Sequence, residues 1–389
     1  MLDILRRLPE TLKRVTSGAV IIKEIDGFRF LAIFTVLIQH LHERFIKYTS
    51  ITFTQPAETT LTAFVATRGF IGVYVFFMIS GFILALPFAK RILNQNNELR
   101  LKEYFLRRLT RLEPPYIIWM TIFFIGFIIL RNESFNEYLP HLLANLTYTH
   151  GIIYQGWSLI NPPTWTLEVE VQFYILAPFL AFLYFSVSNK NRRRVLMIIF
   201  ILSFMIIQQA FELYRLPWYL TILAYLQYFL GGFMVADIYL TEWNTSVKGN
   251  KLLYDVFAIA SLIAIIIIWD WEFHFIDRVA EVILLFILFI SVFKGKYANK
   301  FFTNRWIMAI GGMCYTIYLI HLPIAEVLMQ LTSRISITNI YEVNLLVQAA
   351  IFLPIVFIIS VVGYLLFEKP FMDKNWPARF KKFIQRTLY

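Results

Sequence analysis

Apolar residues gather along the chain into ten stretches, each close to the length of a membrane-spanning helix and separated by polar segments. With a window of about 19 residues, we predict that these stretches are helices, because every backbone group in hydrocarbon needs a partner within its own segment. The pattern therefore predicts an all-α integral membrane protein, a bundle of about ten transmembrane helices. The predicted spans are 28–47, 70–89, 115–130, 168–188, 195–211, 217–239, 252–270, 276–293, 306–330 and 343–367.

The positive charges indicate how this bundle is oriented. Of the 36 lysines and arginines, 29 lie in the two terminal segments and in every second loop, and seven lie in the remaining loops. Because these residues accumulate on the cytoplasmic side of membrane proteins, both termini are predicted to be cytoplasmic. The same distribution explains the net charge of +11 without a polyanionic partner, and it argues against binding of nucleic acid.

Composition agrees with a membrane protein and excludes one kind of site. Of the 389 residues, 59% are hydrophobic and 16% are charged, a balance that ordinary soluble domains of this size do not have. The single cysteine, Cys314, lies inside an apolar span. The sequence therefore predicts neither a disulfide framework nor a cysteine-based metal site, and no metal is expected.

Three regions are predicted along the chain. Residues 1–27 place apolar residues at helical spacing among cations and lack a signal-peptide cleavage pattern, which predicts an amphipathic cytoplasmic helix on an anionic lipid surface. Residues 28–372 form the predicted transmembrane domain. Residues 373–389 form a basic cytoplasmic tail of similar character to the first region.

The longest outer segment, 131–167, is rich in aromatic residues and histidines. Two interpretations stay open for it: an aromatic belt at the membrane interface, or a re-entrant or capping loop whose rings stack on a ligand in a cavity. The residues concerned are His141, Tyr148, His150, Tyr154, Trp157 and Trp165.

Ionisable residues occur at membrane depth in two spans. Arg29 and His40 are eleven positions apart in the first span, a spacing that puts both on one helix face, about 16 Å apart along the axis. His321 lies in the outer half of the span 306–330. Each histidine is either a buried ring bonded to a carbonyl group or a functional group, and intramembrane ionisable residues favour the second interpretation.

An inner loop and an outer helix end supply further candidates. Arg108 and Arg111 are three positions apart, so on a helix both point to the same side and can bind phosphate; ordinary inner-loop charge is the alternative. Glu168 and Glu170 begin the fourth span, and because they are two positions apart they cannot face the same cavity. One of these carboxylates is placed to orient a histidine as a general base.

Small residues predict where helices pack closely and where local hydrogen bonds form. Glycine pairs at 72 and 81 and at 311 and 312 are typical of close helix packing. Ser80 is the only hydroxyl deep in its apolar span, and either local helix hydrogen bonding or a role as nucleophile explains it.

Taken in order, these motifs resemble the acyltransferase 3 family of multispanning membrane O-acyltransferases, from about residue 25 to residue 372. The resemblance rests on Arg29 followed after ten residues by His40, on GVYVFFMISGFIL, on Arg108-x-x-Arg111 followed by Pro114, on WTLEVEVQFY, on GGMCYTIYLIHLP and on FEKP at 367–370. Cys314 stands where the family usually has serine, which argues against an essential cysteine nucleophile.

The resemblance implies transfer of an acyl group, most often acetyl, from cytoplasmic acyl-CoA to a hydroxyl group of a cell-envelope glycan or related glycosylated molecule. Acetyl-CoA would be a donor substrate rather than a permanently bound cofactor, and the protein would lie among the lipids of a bacterial inner membrane. The implied catalytic residues are His40 and Glu170, and the implied acyl-CoA-binding residues are Arg29, Arg108 and Arg111. Glu168 replaces a small residue of the family. Further acceptor or accessory candidates are Trp165, Tyr174, Tyr315, His321 and Ser80.

The mechanism expected from this set is direct transfer in a ternary complex. His40, oriented by Glu170, would take the proton of the acceptor hydroxyl, while the arginines hold the phosphates of CoA at the opposite end. Tyr174, Tyr315 and Trp165 are candidate donors to the developing oxyanion, and an acyl intermediate on Ser80 is the alternative route.

Two other classes of function remain open from the sequence. A proton-coupled secondary transporter would use the intramembrane histidines and carboxylates as a proton relay. A nonenzymatic scaffold or lipid-binding membrane protein would use none of them catalytically. The sequence leaves open the acceptor, the acyl length and the oligomeric state.

Overall fold

The computed structural model describes residues 8–15, 21–94, 101–243, 251–373 and 376, and every regular element in these ranges is helical. This confirms the predicted all-α class. The helices are α1 Lys23–Tyr48, α2 Leu61–Ala66, α3 Ile71–Asn94, α4 Leu101–Leu130, α5 Phe135–Leu146, α6 His150–Tyr154, α7 Trp165–Phe185, α8 Lys190–Ala210, α9 Leu226–Glu242, α10 Leu252–Ile268, α11 Phe275–Lys294, α12 Tyr297–Phe302, α13 Arg305–Gly312, α14 Cys314–Thr332 and α15 Tyr341–Gly363. Beyond α15 the chain continues through a π-helical turn, Tyr364–Glu368, and a 3-10 turn, Lys369–Met372.

Six helical stretches in the described residues are long and apolar enough to cross a membrane. The other four predicted spans coincide with α1, α10, α11 and, in part, α9, which are shorter or carry more charge. The total of ten crossings and the cytoplasmic position of the termini stay predictions. The six stretches are Leu61–Leu93, Leu101–Leu130, Pro162–Phe185, Lys190–Ala210, Cys314–Thr332 and Tyr341–Met372.

Large apolar side chains on these helices point outward. The residues Ile175, Phe179, Phe182 and Leu183 on α7 are all more than half exposed, and α8, α10 and α15 carry similar faces. Continuous apolar surface of this extent is unfavourable in water and is stable against hydrocarbon. The protein is therefore a multi-pass membrane protein.

Helix α4 starts at Leu101, upstream of the predicted span 115–130, so Arg108 and Arg111 lie on one helix, as their three-residue spacing assumed. The predicted start was too late because the prolines at 114 and 115 are typical of a helix beginning. Pro114 cannot donate to the carbonyl oxygen of Thr110, four residues earlier, and that oxygen instead accepts a hydrogen bond from Trp376 Nε1 at 2.8 Å. The helix therefore continues through the prolines.

The predicted span 306–330 is two helices, α13 and α14, which meet at Met313. The first turn of α14 has backbone N–H groups without partners inside the helix. Glu368 compensates for this: its Oε2 accepts from Thr316 N at 3.1 Å and from Thr316 Oγ1 at 2.6 Å. Glu368 of the FEKP motif therefore stabilises the start of α14 at the break between the two helices.

Close helix packing through glycine is confirmed at three of the four predicted positions. A Cβ atom on Gly72 would overlap the backbone oxygen of Ala32, one on Gly81 that of Phe229, and one on Gly311 that of Asp26. Gly312 differs, because the nearest atom to its Cβ position lies 3.7 Å away. Helices α3 and α9, and α1 and α13, thus approach at backbone distance.

The outer segment turns back into the bundle, which supports the re-entrant interpretation over the interfacial belt. Helix α5 runs along α4, with Phe124 against Phe135 at 5.6 Å between ring centroids. Tyr116 donates to the backbone oxygen of Asn145 at 3.1 Å, and its ring stacks on Tyr148. Since Tyr116 lies fourteen residues before the end of α4, the segment descends about 21 Å along that helix.

The two predicted terminal segments are only partly described. Residues 8–15 pack against the bundle, with Leu12 fully buried, rather than on the lipid surface that the sequence predicts for residues 1–27. The rest of that predicted surface helix, and the tail 373–389 apart from Asp373 and Trp376, lie outside the described residues.

We expect Gly81→Ala to lower the stability of the protein, although alanine forms helices better than glycine by about 1 kcal/mol. The added Cβ would meet the backbone of Phe229, which cannot rotate away, and overpacking of this kind costs about 1–3 kcal/mol. Gly126→Ala is the matched control, because nothing lies within 4 Å of its Cβ position. Thermal unfolding in detergent measures both variants; equal midpoints for the two would refute backbone contact at Gly81.

Candidate active site

Two histidines from distant parts of the chain form a hydrogen-bonded pair inside the bundle. His40 of α1 and His321 of α14 are 281 residues apart, and His40 Nδ1 lies 2.8 Å from His321 Nε2. His321 is fully buried, whereas His40 is half-buried. Both residues were predicted in the outer half of the membrane, but their contact was not predicted.

The backbone of α14 determines which nitrogen atoms carry protons in the neutral pair. His321 Nδ1 lies 2.7 Å from the carbonyl oxygen of Tyr318, which can only accept, so Nδ1 carries the hydrogen. His321 Nε2 then has a lone pair and accepts from His40 Nδ1. The remaining nitrogen, His40 Nε2, keeps a lone pair and is the proton-accepting atom of the pair.

The re-entrant segment fixes α14 around His321. The hydroxyl of Tyr318 donates to the backbone oxygen of Pro163 at 2.7 Å, and Asn161 Nδ2 donates to the backbone oxygen of Leu319 at 2.8 Å. Both bonds are buried. The outer segment thus holds the helix turn whose carbonyl group sets the histidine pair.

Glu170 is not placed to orient His40, which corrects the predicted pairing. Its Oε1 accepts from Ser80 Oγ of α3 at 2.7 Å, and it also interacts with Tyr174 one turn later on α7. The His40 ring is instead hydrogen-bonded to His321. The physical reason is that Glu170 is hydrogen-bonded to Ser80 of α3, while its charge acts on Arg29 of α1 and Tyr318 of α14. A catalytic role for Glu170 stays a prediction.

Glu168 holds the re-entrant segment in place. It is 1% exposed, and its Oε2 accepts from the backbone N–H of Gly151 at 2.8 Å, in the first turn of α6. The predicted divergence of the two carboxylates is therefore confirmed, because Glu168 contacts α6 and Glu170 contacts α3. This contact gives Glu168 a structural function.

A second histidine pair lies in the re-entrant segment. His141 Nδ1 is 2.8 Å from His150 Nε2, and Tyr154 stacks on His141 with 4.0 Å between ring centroids. No group of three or more potential metal ligands occurs among the described residues.

Arginines and acidic residues gather at the other end of the same helices. Arg29 Nη1 is 2.5 Å from Asp26 Oδ1, and Arg14 Nη1 is 3.7 Å from the same atom. Arg111 lies close enough for its charge to interact with those of Arg29 and Glu368. The structure thus brings together Arg29 and Arg111 of the predicted phosphate-binding set, and it adds Arg14, for which the sequence had no motif.

Arg108 lies beside this group, against two tyrosines. Its guanidinium carbon is 4.2 Å from the centroid of the Tyr104 ring and 5.4 Å from that of Tyr174. Stacking of this kind orients a guanidinium group while leaving its N–H donors free for an anion.

The candidate oxyanion donors already have other partners. The hydroxyl of Tyr315 donates to the backbone oxygen of Leu112 at 3.0 Å. Trp165 packs in an aromatic cluster with Phe70 and Tyr225. Tyr174 interacts with Glu170, whose charge also acts on Arg29. A role for any of the three as an oxyanion donor stays a prediction.

Two cavities among the described residues lie elsewhere in the bundle. One of about 10 Å³ is lined by Tyr219, Tyr225 and Arg278, among others, and one of about 330 Å³ lies beside Arg193 and Leu240. Neither is lined by His40 or by the predicted arginines. The predicted passage between the arginines and His40 is thus not one of these cavities.

Comparison with known proteins decides the family. The family model described as "acyltransferase domain" (Acyl_transf_3) matches residues 22–366. The chain belongs to this acyltransferase family. The matched region contains the histidine pair and the arginine group, except for Arg14 and Glu368, which lie just outside it.

Two bacterial relatives are named as O-acetyltransferases. The chain is 24% identical over 411 residues to the peptidoglycan O-acetyltransferase OatA of Listeria monocytogenes, with 97% of this chain and 60% of the relative covered. It is 22% identical over 376 residues to the O-acetyltransferase OatA of Staphylococcus aureus, with 91% and 58% covered. The chain thus spans about three fifths of the length of these relatives. No solved structure matches it.

We expect Glu168→Ala to destabilise the re-entrant segment, because the N–H group of Gly151 would lose its buried acceptor, at a cost of about 1–3 kcal/mol. Glu168→Gln keeps an acceptor oxygen and should restore most of that stability. Limited proteolysis of residues 147–157 in detergent reports the change, with the exposed Glu137→Ala on α5 as control. Equal protection of all three variants would contradict the assigned role.

Proposed function

We propose that this protein is a membrane O-acyltransferase that moves an acyl group, in the first instance acetyl, from acyl-CoA to a hydroxyl group of a cell-envelope carbohydrate. The observation that carries the proposal is the oriented histidine pair at one end of α1 and α14, with clustered arginines at the other end, in a chain of the acyltransferase family. The proposal includes ten crossings, cytoplasmic termini and location in a bacterial inner membrane.

His40 is the general base in this proposal. Its Nε2 takes the proton from the acceptor hydroxyl as the oxygen attacks the acyl carbon; the C–S bond then breaks and CoA leaves as the thiol, its sulfur taking up that proton. The hydrogen bond to His321 shares the positive charge that forms on His40, and the carbonyl oxygen of Tyr318 stabilises it further. His321 thus has the role that a carboxylate has in other general-base pairs.

The arginines bind the phosphate groups of the donor. Guanidinium groups match phosphate oxygens in two-point hydrogen bonds, and Arg29, Arg108 and Arg111 are close together at the inner end. Cys314 lies beside Arg29, and His321 follows it by seven positions on α14, a rise of about 10 Å along the helix axis. A long flexible thiol arm such as pantetheine can cover that distance once the helices part to admit it.

Ser80 and Glu170 give an alternative route within the same function. Their 2.7 Å hydrogen bond has the geometry of a nucleophile with its base. In this route Ser80 Oγ attacks the thioester carbon, Glu170 receives the serine proton, and CoA leaves as the thiol after its sulfur takes up that proton. The acceptor hydroxyl then attacks the acyl-serine with His40 as base, and Ser80 Oγ leaves and is protonated again. Isolation of an acyl-protein that Ser80→Ala abolishes would favour the relay over direct transfer.

The acceptor is proposed from the relatives and from the position of His40. The Listeria relative is named for peptidoglycan, a cell-wall carbohydrate polymer. Peptidoglycan fragments are therefore the first acceptor to assay, followed by other surface glycans. The family also favours a transferase over the transporter and the scaffold that the sequence left open.

We expect His40→Ala to reduce acyl transfer by about 10²–10⁴-fold, the usual contribution of a general base. His321→Ala should reduce kcat by about 10–10²-fold without changing the affinity for the donor, because His40 stays present but loses the group that orients it. Purified protein in lipid nanodiscs, labelled acetyl-CoA and a peptidoglycan fragment provide the assay.

The exposed His274→Gln is the matched control, and its turnover should equal that of the wild type. Full turnover by His40→Ala in a protein that binds CoA normally would remove the proposed base. Absence of any acetylated carbohydrate with wild-type protein across several glycan classes would contradict the proposed function.

A further inference from the structure

The N-terminal segment crosses the arginine group at the inner end of the bundle. Leu12 is fully buried, and Lys369 donates to the backbone oxygen of Thr11. A Cβ atom on Gly312 would lie 3.7 Å from the carbonyl oxygen of Leu12 and 3.8 Å from Arg14 Cβ. Residues 8–15 therefore lie directly over the break between α13 and α14, where Cys314 begins the helix that carries His321.

Arg14 enters the arginine group from this segment. Its side chain is 15% exposed and shares Asp26 with Arg29. The charges of Arg14, Arg29 and Arg111 act on one another, and the acidic residues whose charges act on them are Asp26, Glu368 and, at Arg29, Glu170.

Three buried donor atoms of this group make no hydrogen bond in the described part of the chain, although one of them, Nη1 of Arg14, lies 3.7 Å from Asp26 Oδ1. They are Nε and Nη1 of Arg14 and Nε of Arg111, all three buried. A buried donor without an acceptor costs about 1–3 kcal/mol, and repulsion among three guanidinium groups adds to that cost. Both costs are removed when an anion with several oxygen atoms binds between the arginines.

We propose that Arg14 binds phosphate groups of the acyl-CoA donor together with Arg29 and Arg111, so that the N-terminal segment is part of the donor site. The inference rests on the proposed function, and it assigns a donor-binding residue outside the matched family region and outside the transmembrane helices. The guanidinium group of Arg14 donates two hydrogen bonds to phosphate from the N-terminal segment, whereas Arg29 and Arg111 donate theirs from α1 and α4.

Two rival roles for Arg14 lead to different results. Arg14 could serve only to dock the segment through Asp26, in which case its loss would lower stability and leave donor binding unchanged. The phosphate of an anionic lipid headgroup has the same chemistry as that of a nucleotide, and a role in lipid binding would make the effect of Arg14 depend on the lipid.

The test compares Arg14→Gln with Lys13→Gln, which removes the same charge from the adjacent exposed position. The dissociation constant of CoA is measured by calorimetry on full-length protein in nanodiscs of neutral lipid, and again in nanodiscs that contain anionic lipid. We expect Arg14→Gln to weaken CoA binding at least tenfold in both lipids, and Lys13→Gln to change it less than twofold. Arg14→Lys should fall between them, because it keeps the charge without the two-point geometry.

Equal CoA affinity of Arg14→Gln and wild type, with or without a lower unfolding temperature, would overturn the inference and leave the proposed function intact. An effect confined to anionic nanodiscs would assign Arg14 to lipid and overturn the inference in the same way. If the wild type itself does not bind CoA in either lipid, the proposed donor is wrong, and the inference is overturned together with it.

Discussion

The hydrogen bond from His321 to the carbonyl oxygen of Tyr318 is the interaction on which the proposed chemistry depends. It fixes the proton of His321 on Nδ1, and so it directs the lone pair of Nε2 at His40. An isolated histidine in hydrocarbon has no such fixed direction and loses solvation when it gains charge. The pair avoids both problems, because a backbone group sets the direction and a second ring shares the charge.

The remaining architecture keeps that interaction in place. Helix α14 begins at Cys314 because Glu368 satisfies its first turn, and the re-entrant segment bonds the turn that contains Tyr318. Glu168 in turn holds the re-entrant segment at Gly151. Polar residues that look isolated in an apolar sequence are thus members of one connected set, as the low dielectric constant of a membrane requires.

Local geometry could be predicted from the sequence, whereas contacts between distant segments could not. The eleven-residue spacing of Arg29 and His40, the divergence of Glu168 from Glu170 and the close approach at Gly81 follow from helix periodicity and residue size. The pairing of His40 with His321 joins residues 281 positions apart. Nothing in the sequence of either span indicates that the partner of His40 is a histidine and not the carboxylate of Glu170. Arg14 was not predicted as a site residue because its segment resembles a surface helix, and only the tertiary contact with Asp26 shows its position.

The central claim is that one ligand reaches from the arginine group to the histidine pair, and a structure with a bound donor tests it most directly. We expect the protein in nanodiscs with a non-hydrolysable acetyl-CoA analogue to show, by cryo-electron microscopy, the phosphates between the arginines and the acyl group beside His40, with α1 and α14 moved apart. An acyl group that stays at the level of Cys314, with no space opened toward His40, would contradict the account.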